Sequence, residues 1–141
     1  MAPSVFVDTS AWYALIDRRD AGHGRTASLI RELITGGTRL VTTDYVIDES
    51  CTLAKARSGS EAAIRLLDLL GQTAALDMEW IASERFERAE GLFRKYRDQA
   101  FSFTDCSSFV VMRERSIEEA VTTDDHFRVA GFRPLLGRAR R

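Results

Sequence analysis

The chain has 141 residues, of which 45% are hydrophobic and 29% charged, and its formal net charge is −1. A chain of this length and composition is typical of one globular domain with one core, and it excludes a long disordered region. No apolar run is long enough to cross a bilayer, and the first residues lack the pattern of a signal peptide, so we expect a cytoplasmic protein.

Positive charge lies almost entirely on arginine. Lys55 and Lys95 are the only lysines, and arginine suits two-point contacts with phosphates and carboxylates. A general bias towards arginine codons explains this composition equally well. Basic residues end the chain, so we predict a folded domain at residues 1–136 and a basic tail at residues 137–141. Such a tail is either solvated or in contact with a phosphate backbone.

The first half of the chain alternates short apolar runs with helical patterns. Residues 5–7 form an apolar run that is typical of a strand buried on both faces in a parallel sheet. A helix at 11–16 follows it, with Thr9 or Ser10 as the N-cap. The other elements predicted here are a helix at 25–34, a strand at 40–41, a helix at 44–57 and a helix at 61–70 that ends at Gly71.

The second half of the chain continues the same alternation. Its predicted elements are a strand at 74–78, helices at 83–97 and 104–115, a strand at 119–122 and a helix at 124–130. Ser83 is predicted to cap its helix, and the apolar stripe of that helix is Phe86, Ala89, Leu92 and Phe93. Strands separated by helices favour an α/β fold with a central parallel sheet of four to five strands flanked by α-helices.

Two acidic residues follow predicted strands. Asp8 comes directly after the first strand, and Asp124 follows the strand at 119–122. In open α/β sheets, ligands bind beyond the carboxyl ends of the strands, so both acids are candidates for one functional site. Taken singly, either of them is better explained as the cap of the next helix or turn.

Two further acids lie in predicted helices. Glu49 has the helical spacing that places it on the same stripe as Val46 and Leu53, and a carboxylate on an inward face is costly unless it is paired or binds a cation. A buried ion pair with an arginine is the structural alternative. Asp105 lies in the first turn of its helix, where the helix dipole alone would favour an acid.

Convergence of these four acids would favour a divalent metal site. Their mutual repulsion would raise some of their pKa values, and a bound cation removes that cost. Oxygen ligands suit Mg²⁺ or Mn²⁺, whereas the two histidines and the widely separated Cys51 and Cys106 fit no zinc spacing and leave the cysteines as buried free thiols. Such a site can bind phosphate oxygens, activate water and support in-line attack on phosphorus.

Four segments in this order resemble the PIN-domain nucleases. Residues 5–12 are similar to the family's opening strand and its Asp-Thr-Ser turn, and residues 43–49 carry the family's helical glutamate. Residues 102–108 resemble the second aspartate segment, and residues 121–127 resemble the closing Thr-x-Asp-x-x-Phe segment. Among these nucleases the chain is identified as similar to the VapC-type toxins of bacterial toxin–antitoxin pairs.

The resemblance implies a single PIN-like domain whose metal ligands and catalytic residues are four acids. These are Asp8, Glu49, Asp105 and Asp124. It also implies cleavage of single-stranded RNA with Mg²⁺ or Mn²⁺, products with 5′-phosphate and 3′-hydroxyl ends, a homodimer, and inhibition by a cognate antitoxin protein. Asp125 could replace Asp124, but Asp124 stands three residues before Phe127, as the family pattern has it. Asp48 lies off the apolar stripe, and we expect it to be exposed.

Other functions remain open on the sequence alone. One is an RNA-processing PIN nuclease without an antitoxin, and another is a non-catalytic module whose acids bind a partner's arginines. An aspartate-nucleophile phosphatase is disfavoured, because it would need an acid two residues after Asp8, where Ser10 stands. It would also need a lysine between its motifs, for which Lys95 is the only plausible candidate. Stabilisation by Mn²⁺ would distinguish a metal site from a purely protein-binding patch, because a ligand that binds only the folded state raises the melting temperature.

Overall fold

Five parallel strands form a sheet within residues 2–137, the part of the chain that the computed structural model describes. The strands are β1 (Ser4–Val7), β2 (Arg39–Thr43), β3 (Leu76–Glu79), β4 (Glu119–Val121) and β5 (Arg133–Pro134), and their order across the sheet is β3-β2-β1-β4-β5. Apart from Gly137, the predicted basic tail lies outside the described residues. The predicted α/β fold with a parallel sheet is confirmed.

Seven helices connect and flank the strands within the described range. They are α1 (Thr9–Ile16), α2 (His23–Thr35), α3 (Asp44–Ser58), α4 (Ser60–Gln72), α5 (Ser83–Lys95), α6 (Phe103–Glu114) and α7 (His126–Val129). Helix α3 packs against α4, α5 packs against α6, and α1 contacts both α2 and α3. None of these helices is long and apolar enough to cross a membrane.

Strand β1 is the central strand of the sheet, and its position creates room for a site at one edge of the sheet. Val5, Phe6 and Val7 are all buried, as expected for a strand covered on both faces. Strand β2 pairs with one side of β1 and β4 with the other, although β4 comes much later in the chain. The connections therefore leave β1 in opposite directions, and a crevice opens beyond its carboxyl end, directly after Val7.

A buried hydrogen-bond chain ties α1 to the two central strands. The indole Nε1 of Trp12 donates to Thr42 Oγ1 at 3.1 Å, and the Thr42 hydroxyl donates to the backbone oxygen of Val7 at 2.9 Å. Trp12 and Thr42 are almost completely buried. These hydrogen bonds fix α1, which begins at Thr9, against β1, which ends directly before Asp8.

We expect Thr42→Val to destabilise the protein by about 1–3 kcal/mol, because it leaves the buried Trp12 Nε1 without an acceptor while keeping the side-chain volume. Urea unfolding measures the loss. Thr35→Val, at the exposed end of α2, is the control and should change the free energy of unfolding by less than about 0.5 kcal/mol. Equal stability of Thr42→Val and the parent protein would show that this bond chain contributes little.

Several helix ends differ from the predicted ones. Asp8, and not Thr9 or Ser10, is the N-cap residue of α1, and its side chain makes no capping hydrogen bond. The reason is that the Asp8 carboxylate accepts a hydrogen bond from Thr122 instead. Helix α4 continues through Gly71 to Gln72, because glycine ends a helix only where the backbone turns left-handed, and Gly71 has no positive φ.

Three further differences between the predicted and the observed structure lie in the second half of the chain. Ala82 caps α5, and Ser83 is already its first residue. Strand β5 was not predicted, since it is only two residues long and contains Pro134. In the predicted apolar stripe of α5, Phe86 and Phe93 are both 44% exposed, because they pack on the half-buried Phe103 at the surface and not in the core.

The cysteines are both free. Cys106 is fully buried, and burial raises the pKa of its thiol to about 11, which makes it inert as a nucleophile. Cys51 was also predicted to be buried, but it is only half-buried.

Candidate active site

A cavity of about 360 Å³ opens at the carboxyl edge of the sheet, and all four predicted acids line it. They arrive from four elements: the end of β1, the middle of α3, the first turn of α6 and the loop after β4. The full lining is Asp8, Thr9, Ser10, Tyr13, Ala14, Asp20, Gly22, Thr26, Glu49, Leu53, Arg57, Asp105, Thr123 and Asp124. The fold thus concentrates negative charge from distant parts of the chain.

Asp8 is the most buried of these acids, with 5% of its surface exposed. Its Oδ2 accepts a hydrogen bond from Thr122 Oγ1 at 2.9 Å. Burial, with smaller contributions from the charges of Asp105 and Asp124, raises the pKa of Asp8 to about 7 against the lowering effect of hydrogen bonds from Thr9 and Thr122. A buried carboxylate with this pKa lacks a positive charge beside it.

Thr122 organises the loop after β4. Because its one hydroxyl hydrogen goes to Asp8, Thr122 Oγ1 accepts from both of its other neighbours. These donors are the Asp124 backbone N at 2.9 Å and Ser10 Oγ at 3.2 Å. Ser10 Oγ in turn accepts from the backbone N of Thr123 at 3.1 Å. The hydroxyls around the acids therefore hold two of the carboxylate-bearing segments together.

Asp105 is held by a capping box at the start of α6. Ser102 Oγ accepts from the Asp105 backbone N at 2.9 Å, and Asp105 Oδ2 accepts from the Ser102 backbone N at 3.0 Å. Asp105 is 7% exposed. Burial and the charge of Asp124 raise its pKa, while the bonds from Ser102 and His126 lower it. Asp105 lies in the first turn of α6 as predicted, and the capping box, which was not predicted, fixes its carboxylate at the cavity wall.

His126 is a site residue that the sequence analysis did not identify. Its Nδ1 lies 2.9 Å from Asp105 Oδ2 and 3.3 Å from Asp124 Oδ1. The backbone N of His126 also donates to Asp124 Oδ1 at 2.9 Å, which turns the chain so that the imidazole faces both acids. Possible ligand atoms of Asp105, Asp124 and His126 all lie within 4.8 Å of one another. The available signal was the spacing Asp124-x-His126.

Glu49 lies at the rim of the cavity. Its Oε1 accepts a hydrogen bond from Thr9 Oγ1 at 2.6 Å, which draws the α3 carboxylate towards the start of α1. Val46, on the same helix face, is buried as predicted, but Glu49 itself is exposed. Its burial cost is therefore smaller than the sequence suggested, and no ion pair between Glu49 and an arginine occurs within residues 2–137.

The acids next to two of these residues lie outside the cavity. Asp48 is exposed, as expected from its position off the apolar stripe. Asp125 is also exposed, and its Oδ1 accepts from Arg128 Nη1 at 2.8 Å. Asp48 and Asp125 therefore serve as exposed, negatively charged controls for their cavity-lining neighbours Glu49 and Asp124.

Chemically, the donor set of this cavity suits a hard divalent cation. Carboxylate oxygens are the ligands that Mg²⁺ and Mn²⁺ prefer. The raised pKa of Asp8 reflects a free-energy penalty for ionising this buried carboxylate, and a bound cation would reduce that penalty. A site made of several carboxylates repels an anionic substrate unless a cation is bound. The arrangement therefore fits metal-assisted chemistry on a phosphate better than binding of an anion by the protein alone.

Comparison with known proteins gives consistent matches over nearly the whole chain. Residues 5–133 match the PIN domain family. The 23S rRNA-specific endonuclease VapC20 of Mycobacterium tuberculosis is 32% identical over 128 residues, which are 91% of this chain and 95% of the relative. The crystal structure of M. tuberculosis VapC20, described as a sarcin-ricin loop cleaving toxin, superposes with a TM-score of 0.80 at 30% identity and the same coverage, 91% and 95%.

A more distant structure shares the fold alone. It is VapBC2 from Rickettsia felis bound to a DNA fragment from its promoter, with a TM-score of 0.64 and 12% identity, and the match covers 93% of this chain and 96% of the other. Sequence identity at this level carries no argument about activity or partners. It shows that the arrangement of strands and helices persists where the side chains have changed.

Proposed function

The chain belongs to the PIN-domain family, and we propose that it is a metal-dependent endoribonuclease acting as the toxin of a toxin–antitoxin pair. The catalytic and metal-binding residues in this proposal are Asp8, Glu49, Asp105 and Asp124. The observation that carries it is that these four acids line one cavity at the carboxyl edge of the sheet, where possible ligand atoms of Asp105 and Asp124 lie within 4.8 Å of each other. The domain at residues 1–136 performs the reaction, and the tail at 137–141 is a separate basic segment.

The four carboxylates would hold Mg²⁺ or Mn²⁺, and the cation would offset the negative charge that develops on the phosphoryl oxygens. The protein's own contribution is to fix these groups. Thr122 holds Asp8, Thr9 holds Glu49, and the Ser102 backbone with His126 holds Asp105. A carboxylate in this cavity would also accept the proton of the attacking water.

The names of the relatives support the substrate and the partners that we propose. VapC20 is named for 23S rRNA and described as cleaving the sarcin-ricin loop, so ribosomal RNA is the substrate class that we propose here. A toxin of this type acts in the cytoplasm, forms a homodimer and is neutralised by a cognate antitoxin protein. The acidic cavity favours an antitoxin segment that presents a basic side chain to it.

The test is cleavage of purified 23S rRNA by the protein with Mg²⁺, with Mn²⁺ and with EDTA, followed by sequencing of the RNA ends. We expect cuts with 5′-phosphate ends in either metal and none in EDTA. Asp124→Asn should abolish the cuts, whereas Asp125→Asn, a change of the adjacent exposed acid, should leave the rate within about twofold. Cleavage that continues in EDTA, or equal loss in both variants, would exclude the proposed metal site.

His126→Ala should lower the affinity for Mn²⁺ by about 10–100-fold, because residues that hold a metal ligand in place typically contribute this much. Isothermal titration calorimetry on the folded variant measures it. His23→Ala, which removes the other histidine of the chain, is the control and should leave Mn²⁺ affinity unchanged. Unchanged affinity in His126→Ala would mean that Asp105 and Asp124 hold their positions without the imidazole.

A further inference from the structure

We propose that Arg57 binds a backbone phosphate of the RNA next to the one that is cleaved. This inference rests on the proposed ribonuclease function and adds the residue that attracts the substrate to a negatively charged cavity. Among the described residues that line the cavity, five are acids and Arg57 alone carries a permanent positive charge. Arg57 is therefore the lining residue that can offer a fixed positive charge to a phosphate of an RNA strand that enters the cavity.

The position of Arg57 along α3 places it beside the carboxylates and not among them. Glu49, Leu53 and Arg57 are spaced by four residues and all line the cavity, so they share one face of the helix. Eight residues of helix separate the Cα atoms of Glu49 and Arg57 by about 12 Å. Because Arg57 stands this far along the wall, it suits a phosphate that neighbours the reacting one on the same strand.

The Arg57 guanidinium is held in place in a way that leaves its N–H groups available. It lies over the ring of Tyr13, 5.3 Å from the centroid, and no acid lies within ion-pair distance of it in residues 2–137. The Tyr13 hydroxyl donates to Asp17 Oδ2 at 2.7 Å and accepts from Ser58 Oγ at 3.2 Å, so the ring is fixed. A stacked guanidinium keeps its N–H edge free for a phosphate.

Arginine in the last turn of a helix is also favoured by the helix dipole, and this alternative needs a control. Lys55 occupies the same last turn of α3, carries the same charge and is exposed like Arg57, but it does not line the cavity. Any effect of net charge or of the helix dipole should therefore be equal for Lys55 and Arg57. A contact with RNA should be seen only for Arg57.

The experiment measures binding of a short fluorescein-labelled single-stranded RNA in Mg²⁺ as a function of salt. The protein carries Asp8→Asn to prevent cleavage, and Arg57→Ala or Lys55→Ala is added to it. We expect Arg57→Ala to weaken binding about tenfold and to reduce the slope of log K against log salt by about 0.7, the value for one lost phosphate contact on a single strand. Lys55→Ala should change neither quantity.

Equal effects of the two variants, or no effect of Arg57→Ala, would overturn the proposal. Hexaglutamate is the second probe: if Arg57→Ala weakens binding of this acidic peptide and leaves RNA binding unchanged, the cation serves a protein partner and the proposal is wrong. The two levels of inference remain separable. If the parent protein cuts no RNA while Arg57→Ala still lowers the slope, the ribonuclease function fails and the phosphate contact stands.

Discussion

Asp8→Asn is expected to lower the rate of 23S rRNA cleavage by about a thousandfold, equivalent to ~4 kcal/mol of lost transition-state stabilisation. The amide has the shape of the carboxylate, and its oxygen can still accept the hydrogen bond from Thr122. The variant therefore keeps the cavity and loses one negative charge from it. Asp105→Asn should lower the rate similarly, because it also removes one negative charge from the cavity. It should keep the fold, because its amide oxygen can still accept from the Ser102 backbone N. Rates from single-turnover cleavage in Mg²⁺ measure both.

The control for this prediction is Asp48→Asn, since Asp48 is an exposed acid that does not line the cavity. It should cleave at the rate of the parent protein. Circular dichroism and the melting temperature verify that each variant is folded before rates are compared. Cleavage at the parental rate by both Asp8→Asn and Asp105→Asn would show that these acids are not the catalytic residues.

The parallel sheet was predictable because its signals are local and repeated. A fully apolar run such as residues 5–7, followed by a helical pattern, requires no knowledge of distant residues. The position of the cavity followed from the sheet: parallel strands end at one edge, so acids directly after β1 and β4 come close together. The proximity of Asp8 and Asp124 was therefore predictable from the order of strands and helices alone.

The parts of the site that were not predicted depend on contacts between distant segments. His126 faces Asp105 where the Asp124 carboxylate accepts a hydrogen bond from the His126 backbone N, and the spacing Asp124-x-His126 does not by itself show that His126 reaches Asp105. Helical periodicity placed Glu49 on an apolar face but gave no depth, and the structure puts it at the rim. Arg57 stands out among the arginines only once the cavity lining is known.

Without metal, the free energy of unfolding is expected to fall as the pH rises from about 4 to about 7. In the folded protein burial raises the pKa of Asp8 from 3.8 to about 7, so between these values the folded state keeps a proton that the unfolded state has lost. Stability falls with pH wherever the folded state binds more protons. Three pKa units correspond to at most about 4 kcal/mol, all of it lost above pH 7. Urea unfolding in EDTA across this range measures it.

Asp8→Asn isolates this effect, because the amide does not ionise. In EDTA at pH 8 it should be more stable than the parent protein by up to about 4 kcal/mol, and at pH 4 the two should be nearly equal. Mn²⁺ should reduce this difference at pH 8: at a hundredfold excess over its dissociation constant it adds about 2.7 kcal/mol to the parent protein, and much less to a variant that lacks one ligand. If the stability of the two proteins differs equally at pH 4 and pH 8, the ionised Asp8 carboxylate does not strain the fold. If Mn²⁺ stabilises both proteins to the same extent, the Asp8 carboxylate does not bind the cation. Both results together are expected because the burial that penalises the ionised carboxylate in the metal-free protein is what a cation in this cavity would relieve.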